Sequence, residues 1–242
     1  MKSLFIKKLL TRMPLNAKRL NTRVFIRAAI ATLCLSSLLL TGCSDQKPAS
    51  KSVYLLLDTS GTYTQELAKA QTIMNYLLAT LDSGDSIAIA RIDSGSFNEK
   101  DIIAKTTFDS RPSTTNNQKR VFKQKVDTFV ANLEKGSFRT DITGGILQAA
   151  DFVNETQAGE KYVLIFSDLE EELQKGHIRD FPIDMQGIQV VALNVTKLRS
   201  DNIDPREFKN RLNNWQERVE NGGGSWRVVN DLERLDRMFV QN

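Results

Sequence analysis

Short apolar runs recur from residue 53 onward, none longer than eight residues: VYLLLD (53–58), DSIAIARI (85–92), IIAKTTF (102–108), KYVLIFS (161–167) and IQVVALNV (188–195). Each is rich in β-branched residues and bounded by polar or glycine-containing turns, which predicts strands. SWRVV (225–229), entered from Gly222-Gly223-Gly224, makes a sixth. Helical patterns lie between them. Thr64 to Leu81 places Leu67, Ile73, Leu77 and Leu78 largely on one face, and similar stripes run from Val121 to Leu133, Ile142 to Val153 and Pro205 to Val219. Asp231 is placed to cap a last helix with Leu232, Leu235 and Phe239 inward. Strands alternating with helices require right-handed crossovers and a mostly parallel sheet. Continuous apolar strands require that sheet to be covered on both faces. IIAKTTF follows its predecessor without a helix, so an antiparallel edge strand is expected there. The stretch DSRPSTTNNQKR (109–120) reads as a polar loop.

The first part of the chain has a different character. Between Met1 and Gly42 there are eight Lys and Arg and no Asp or Glu, and after Arg27 comes the uncharged stretch AAIATLCLSSLLLTG. A basic segment, a short apolar segment and small residues at its end predict a secretory signal peptide over 1–42. The apolar stretch falls short of the roughly 20 residues of a membrane span. Translation starts at Met1 or at Met13. Leu40-Thr41-Gly42-Cys43 resembles a bacterial lipobox, which implies cleavage before Cys43 and lipid on its thiol. The polar stretch that follows Cys43 predicts a tether, so 43–52 is the lipidated cysteine and tether. Ser44, rather than Asp, after the cysteine implies the outer membrane of a Gram-negative envelope, facing the periplasm, or the cell membrane in another bacterium.

This division changes what the charge means. The whole chain is +4, but without the eight leading cations 25 basic residues face 29 acidic ones, a formal −4. No excess of positive charge suggests nucleic acid. Cys34 leaves with the signal and Cys43 takes lipid, so the mature domain has no disulfide and must be held by its core. Residues 53–242 suffice for one such domain.

In an open α/β sheet, ligands bind beyond the carboxyl ends of the strands. Asp58 closes the first predicted strand, with Ser60 and Thr62 following at steps of two. Asp168 closes KYVLIFS, and Thr140 in RTDITGG opens a helix. Hard oxygen donors gathered from several loops, without Cys or His, suit Mg²⁺, Mn²⁺ or Ca²⁺ rather than zinc. D-x-S-x-T after the first strand, Thr-Asp-Ile at a helix start and a strand ending in Ser-Asp, in this order, resemble the von Willebrand factor A domain. The resemblance runs from Val53 to Phe239. It implies a Rossmann-like doubly wound, six-stranded α/β sheet over residues 53–242 and a metal-ion-dependent adhesion site. Ser60 and Thr62 would bind one divalent cation, Mg²⁺ first, with Mn²⁺ or Ca²⁺ as alternatives. Thr140 would bind it directly or through water, and Asp58 and Asp168 would supply charge mostly through bridging waters. One position would stay open for an Asp or Glu of a partner protein. The chain departs from the family at Thr62, where Ser is usual, and at Leu169, where Gly is common. Glu170, Glu171 and Glu172 then crowd the same loop, either as a solvated face or acids favoured near a helix N-terminus, or as a source of negative potential at the rim.

Other chemistries fit less well. A phosphatase of the haloacid dehalogenase type needs a second acid two places after the first, where Ser60 stands. An aspartic protease needs Asp-Thr-Gly twice. A Ser-His-Asp hydrolase would have to use His177, the chain's single histidine, in the polar stretch QKGHIRD. The expectation is therefore a non-enzymatic, cation-dependent protein-binding module held to the membrane by lipid. The alternatives are a metal-independent scaffolding lipoprotein or, less favoured, the phosphatase. Trp215 and Trp226 would be partner anchors for the scaffold if exposed, and core residues otherwise.

Overall fold

β1 (Lys51–Asp58) starts two residues before the expected Val53 and is buried along all but its first residue. In this computed structural model, which describes residues 50–61, 63, 66–133 and 136–239, it occupies the middle of a six-stranded sheet of order β3-β2-β1-β4-β5-β6. β2 (Ser86–Ile92) and β4 (Glu160–Phe166) flank it in parallel. β5 (Ile188–Leu193) and β6 (Ser225–Val229) continue the parallel arrangement. β3 (Ile102–Thr107) is the antiparallel edge strand, with a register shift opposite Ile89/Ala90. The doubly wound architecture expected from the sequence is thus the one the chain adopts. The signal peptide over 1–42, Cys43 and Thr62 lie outside the described residues. Among the described residues no helix is long and apolar enough to cross a membrane.

The two-residue period of β1 divides the interior. Val53, Leu55 and Leu57 face one way, into a cluster with α1 (Leu67–Thr80), which contributes Ile73, Met74 and Leu77. α2 (Pro112–Ala131) adds Phe122 and Val126 to the same face. Tyr54 and Leu56 face the other way, toward α3 (Ile142–Glu155) and α4 (Pro205–Asn221), which supply Ile146, Ala149, Val153, Trp215 and Val219. Strands buried on both faces carry apolar residues at successive positions, which is why the runs were legible. Trp215 is a core residue and Trp226 is half-buried against the same cluster, so neither is an exposed anchor.

Two expected elements differ. The polar loop expected at 109–120 is mostly the first half of α2. Pro112 at the first helical turn needs no hydrogen-bond partner for its nitrogen. Asp109 receives the Arg111 N–H at 2.8 Å, and its carbonyl receives the Thr115 hydroxyl at 2.6 Å. Only Thr115 of the first turns is buried, so this half shows no apolar stripe for a sequence pattern to display. The last expected α-helix is a 3₁₀ segment, Leu235–Phe239. Asp231 accepts from the Glu233 N–H at 3.1 Å, closing a turn before the segment starts, while Leu235 is buried.

Candidate metal centre

The strand order places the site. From β1 the chain adds β2 and β3 on one side, then crosses to add β4, β5 and β6 on the other. The β1/β4 boundary is therefore the point where the winding reverses, and the loops leaving those two strands diverge to leave a crevice. The register pairs Leu57 with Phe166, so Asp58 emerges beside Ser167, with Asp168 one residue beyond.

Ser60, Thr140 and Asp168 line one cleft of about 450 Å³ there, together with Gly61, Ser137, Phe138, Glu170, Glu172 and Leu198. Asp58, fully buried, sits below it. Its carboxylate accepts the Ser60 N–H at 2.8 Å and the Ser167 hydroxyl at 2.7 Å, and the Ser60 hydroxyl reaches it too. Four of the five residues expected as ligands are thus gathered around one opening; the fifth, Thr62, is the one outside the described residues. His177, in its polar stretch, is exposed.

Three loops are stitched to hold this arrangement. The Ser137 N–H donates to the Thr59 carbonyl at 2.7 Å, tying the loop before α3 to the loop after β1. Gly136 makes that approach feasible: a Cβ there would lie 2.4 Å from the Thr59 oxygen. Thr140 exchanges both backbone hydrogen bonds with Glu172, each at 3.0 Å, tying the same loop to the one after β4. Asp141 caps α3 by accepting the Gly144 N–H at 2.8 Å and is gripped by Arg179 at 2.7 and 3.1 Å. Glu171 accepts the Thr143 N–H at 2.7 Å. One acid of the Glu170–Glu172 run therefore serves the helix N-terminus, while Glu170 and Glu172 line the cleft, so both expectations for the run hold in part.

The loop after β4 is fastened from behind by α4. Arg211 donates to the Asp168 carbonyl at 3.0 Å and to Asp201 at 2.7 and 3.2 Å, and the Trp215 indole donates to the Leu169 carbonyl at 3.0 Å. Leu169 takes φ +65°, a left-handed conformation that costs a non-glycine residue on the order of 1 kcal/mol. Its side chain is buried in the α3/α4 cluster, an apolar gain of about 1.5–3 kcal/mol that offsets the strain. This accounts for Leu where Gly is common. Arg179, Arg211 and Gly136 were not singled out from the sequence, and Trp215 was read there only as an anchor or a core residue. Their partners lie tens of residues away, and only the Gly136-Ser137 pair in the loop before Thr140 offered a local sign of a close turn.

The electrostatics of the two acids are unusual. Among the described residues neither Asp58 nor Asp168 has a Lys or Arg on its carboxylate. Burial pushes the Asp58 carboxyl above the usual range, against the hydrogen bonds from Ser167 and Ser60. Burial likewise pushes Asp168 up to about 6; the Glu170 N–H at 3.0 Å and Arg211 oppose the rise, and the nearby Asp58 adds to it. Both rises come mainly from desolvating an anion that, among the described residues, carries no cation on its carboxylate. Among the described residues no grouping of three or more His, Cys, Asp and Glu is placed for a metal. The polar groups at the cleft are the buried Asp58 and Asp168 carboxylates, the Glu170 and Glu172 carboxylates and hydroxyls, a hard-oxygen set that fits Mg²⁺, Mn²⁺ or Ca²⁺ and does not fit zinc.

No family model matches the chain, and no curated protein sequence does. Solved structures are similar to it in backbone. A von Willebrand factor type A protein from Catenulispora acidiphila is 12% identical with a TM-score of 0.49, over 78% of this chain and 41% of that one. An aerotolerance-related membrane protein from Bacteroides fragilis is 15% identical with a TM-score of 0.44, over 78% and 96%. BatB from Bacteroides thetaiotaomicron is 16% identical with a TM-score of 0.43, over 78% and 94%. None of these similarities bears on the chemistry of the cleft.

Proposed function

We propose that this chain is a non-catalytic, divalent-cation-dependent protein-binding module, anchored through lipid on Cys43 to the bacterial outer membrane and facing the periplasm. The observation that carries the reading is the pair of buried carboxylates, Asp58 and Asp168, with hydroxyls around them and, among the described residues, no cationic side chain on either. Ser60, Thr62 and Thr140 would hold the ion through hydroxyls, and Asp58 and Asp168 would balance its charge. A bound divalent cation supplies positive charge and an open coordination position. The chain's own residues do the rest. Asp58 fixes the Ser60 backbone, the Thr140–Glu172 pair fixes the depth of the Thr140 side, and Arg211 holds the Asp168 loop from behind. Glu170 and Glu172 line the opening, and among the described residues no Lys or Arg does. A partner's carboxylate is therefore repelled by the bare cleft and admitted when a cation is present. The partner is accordingly a protein offering Asp or Glu, and assembly of an envelope or secretion complex is a role that suits such a module.

The test is calorimetric titration of Mg²⁺ and Mn²⁺ into the full-length chain in detergent, with Asp58→Asn beside it. Wild type is expected to bind and to gain about 2.7 kcal/mol of stability at a hundredfold excess over Kd. The variant, one ligand charge short, should lose at least about tenfold in affinity. Absence of heat together with an unchanged melting temperature in wild type would overturn cation dependence and favour the metal-independent scaffold.

A further inference from the structure

The cleft is not purely polar. Phe138, 90% exposed, stands on its wall, and Leu198, from the loop after β5, lines it as well. On the same β5–α4 connection Ile203 is 88% exposed. The phenyl ring belongs to no core cluster and stands at the wall of the cleft, where an exposed aromatic is suited to serve as an anchor for a partner entering it. Its backbone is not free to withdraw. Ser137 before it is bonded to Thr59, and Thr140 after it is zipped to Glu172. The ring is thus carried on a short segment pinned at both ends, which lowers the entropic cost of using it as an anchor.

Charge and apolar surface together define what fits. The lining carboxylates Asp168, Glu170 and Glu172 exclude a bare acid, while Phe138 and Leu198 add apolar surface to the same lining. We infer that the partner presents an Asp or Glu immediately flanked by large apolar residues, the acid entering the cleft and its neighbours packing on Phe138 and Leu198. This rests on the cation-dependent reading above and adds to it a choice of partner sequence. A polar-flanked acid satisfies the charge and leaves Phe138 wet. An apolar segment without an acid covers Phe138 and leaves the carboxylates unanswered. The pairing of the two is what discriminates.

The experiment uses the full-length chain in detergent and three blocked peptides: Gly-Phe-Asp-Leu-Gly, Gly-Ser-Asp-Ser-Gly and Gly-Phe-Asn-Leu-Gly. Affinities are measured by fluorescence anisotropy in Mg²⁺ and again in chelator. The Phe-Asp-Leu peptide is expected to bind at least about tenfold more tightly than the Ser-Asp-Ser peptide, the size of effect that covering one aromatic ring produces. Phe138→Ser should bring the two within about twofold while leaving Mg²⁺ titration heats unchanged, because the replaced ring is exposed. Equal affinities in wild type with Mg²⁺ binding intact would overturn the apolar requirement and leave the cation site standing. Absence of Mg²⁺ binding itself would overturn the site, a separate result seen before any peptide is added. Phe-Asn-Leu binding as tight as Phe-Asp-Leu, or binding that survives chelator, would show an apolar patch indifferent to the cation and overturn the inference.

Discussion

Asp141 and Asp58 are both fully buried at the carboxyl end of the sheet, yet the protein treats them oppositely. Asp141 receives a two-pronged Arg179 contact and the Gly144 N–H. Asp201 is gripped in the same way by Arg211, and Asp101 by Arg91 at 3.2 Å. Asp85 is satisfied by two backbone N–H groups, from Lys51 and Asp82, each at 2.8 Å. These acids are structural, and the fold supplies their counter-charge or their donors. Asp58 receives hydroxyls and one N–H group, and Asp168 one N–H group; among the described residues neither carboxylate carries a guanidinium. A buried anion left in that state is expensive to keep unless something from outside balances it. The difference teaches that burial of an acid does not mark function in this fold; burial without a supplied cation does.

Removing one charge from each class gives the largest contrast. Asp141→Asn keeps the shape and leaves Arg179 without its partner, so unfolding in urea should show a loss of about 3–5 kcal/mol. Asp58→Asn, measured in chelator, should cost less than about 1 kcal/mol or stabilise, because it removes a charge the fold does not balance. Equal losses at the two positions would erase the distinction.

A pH series sharpens it. Asp168 has a folded pKa of about 6, above the ordinary 3.8, so the folded state holds its proton more tightly than the unfolded chain does. Without cation, its contribution to stability is therefore greatest below about pH 4 and is lost as pH rises through about 6. The loss is on the order of 2–3 kcal/mol. Asp168→Asn should flatten that slope, and saturating Mg²⁺ should flatten it in wild type. A wild-type slope of opposite sign in chelator would mean that Asp168 is balanced after all.

The smallest effect concerns the residue that serves both classes. Arg211→Lys keeps a cation near Asp201 but cannot hold it and the Asp168 carbonyl with the same planar fork. Stability should fall by about 1–2 kcal/mol. Mg²⁺ affinity should drop a few-fold, because the Asp168 loop is less well placed. A stability loss with unchanged Mg²⁺ affinity would separate the structural pair from the cleft.

Much of the fold was legible because strands buried on both faces must be apolar at successive positions, a local pattern that a run such as YVLIF cannot hide. The first half of α2 was not legible, since a helix held by Pro112 and side-chain bonds around Asp109 and Thr115 needs no apolar stripe. The strand-end oxygens stood out for the converse reason. Asp58 and Asp168 interrupt apolar runs at the point where a doubly wound sheet opens to solvent.

The sequence by itself determined the alternation of strands and helices, the antiparallel edge, and the set of oxygen donors placed at the strand ends, because each is a matter of neighbours along the chain. Only the tertiary structure decided which buried acids are balanced. Arg179 lies 38 residues from the Asp141 it balances, while the Arg211 and Trp215 contacts to the Asp168 and Leu169 carbonyls cross 43 and 46 residues without placing a charge on the Asp168 carboxylate. Counter-charge acts through space over a few ångströms, and the winding of the sheet alone brings those side chains within that distance.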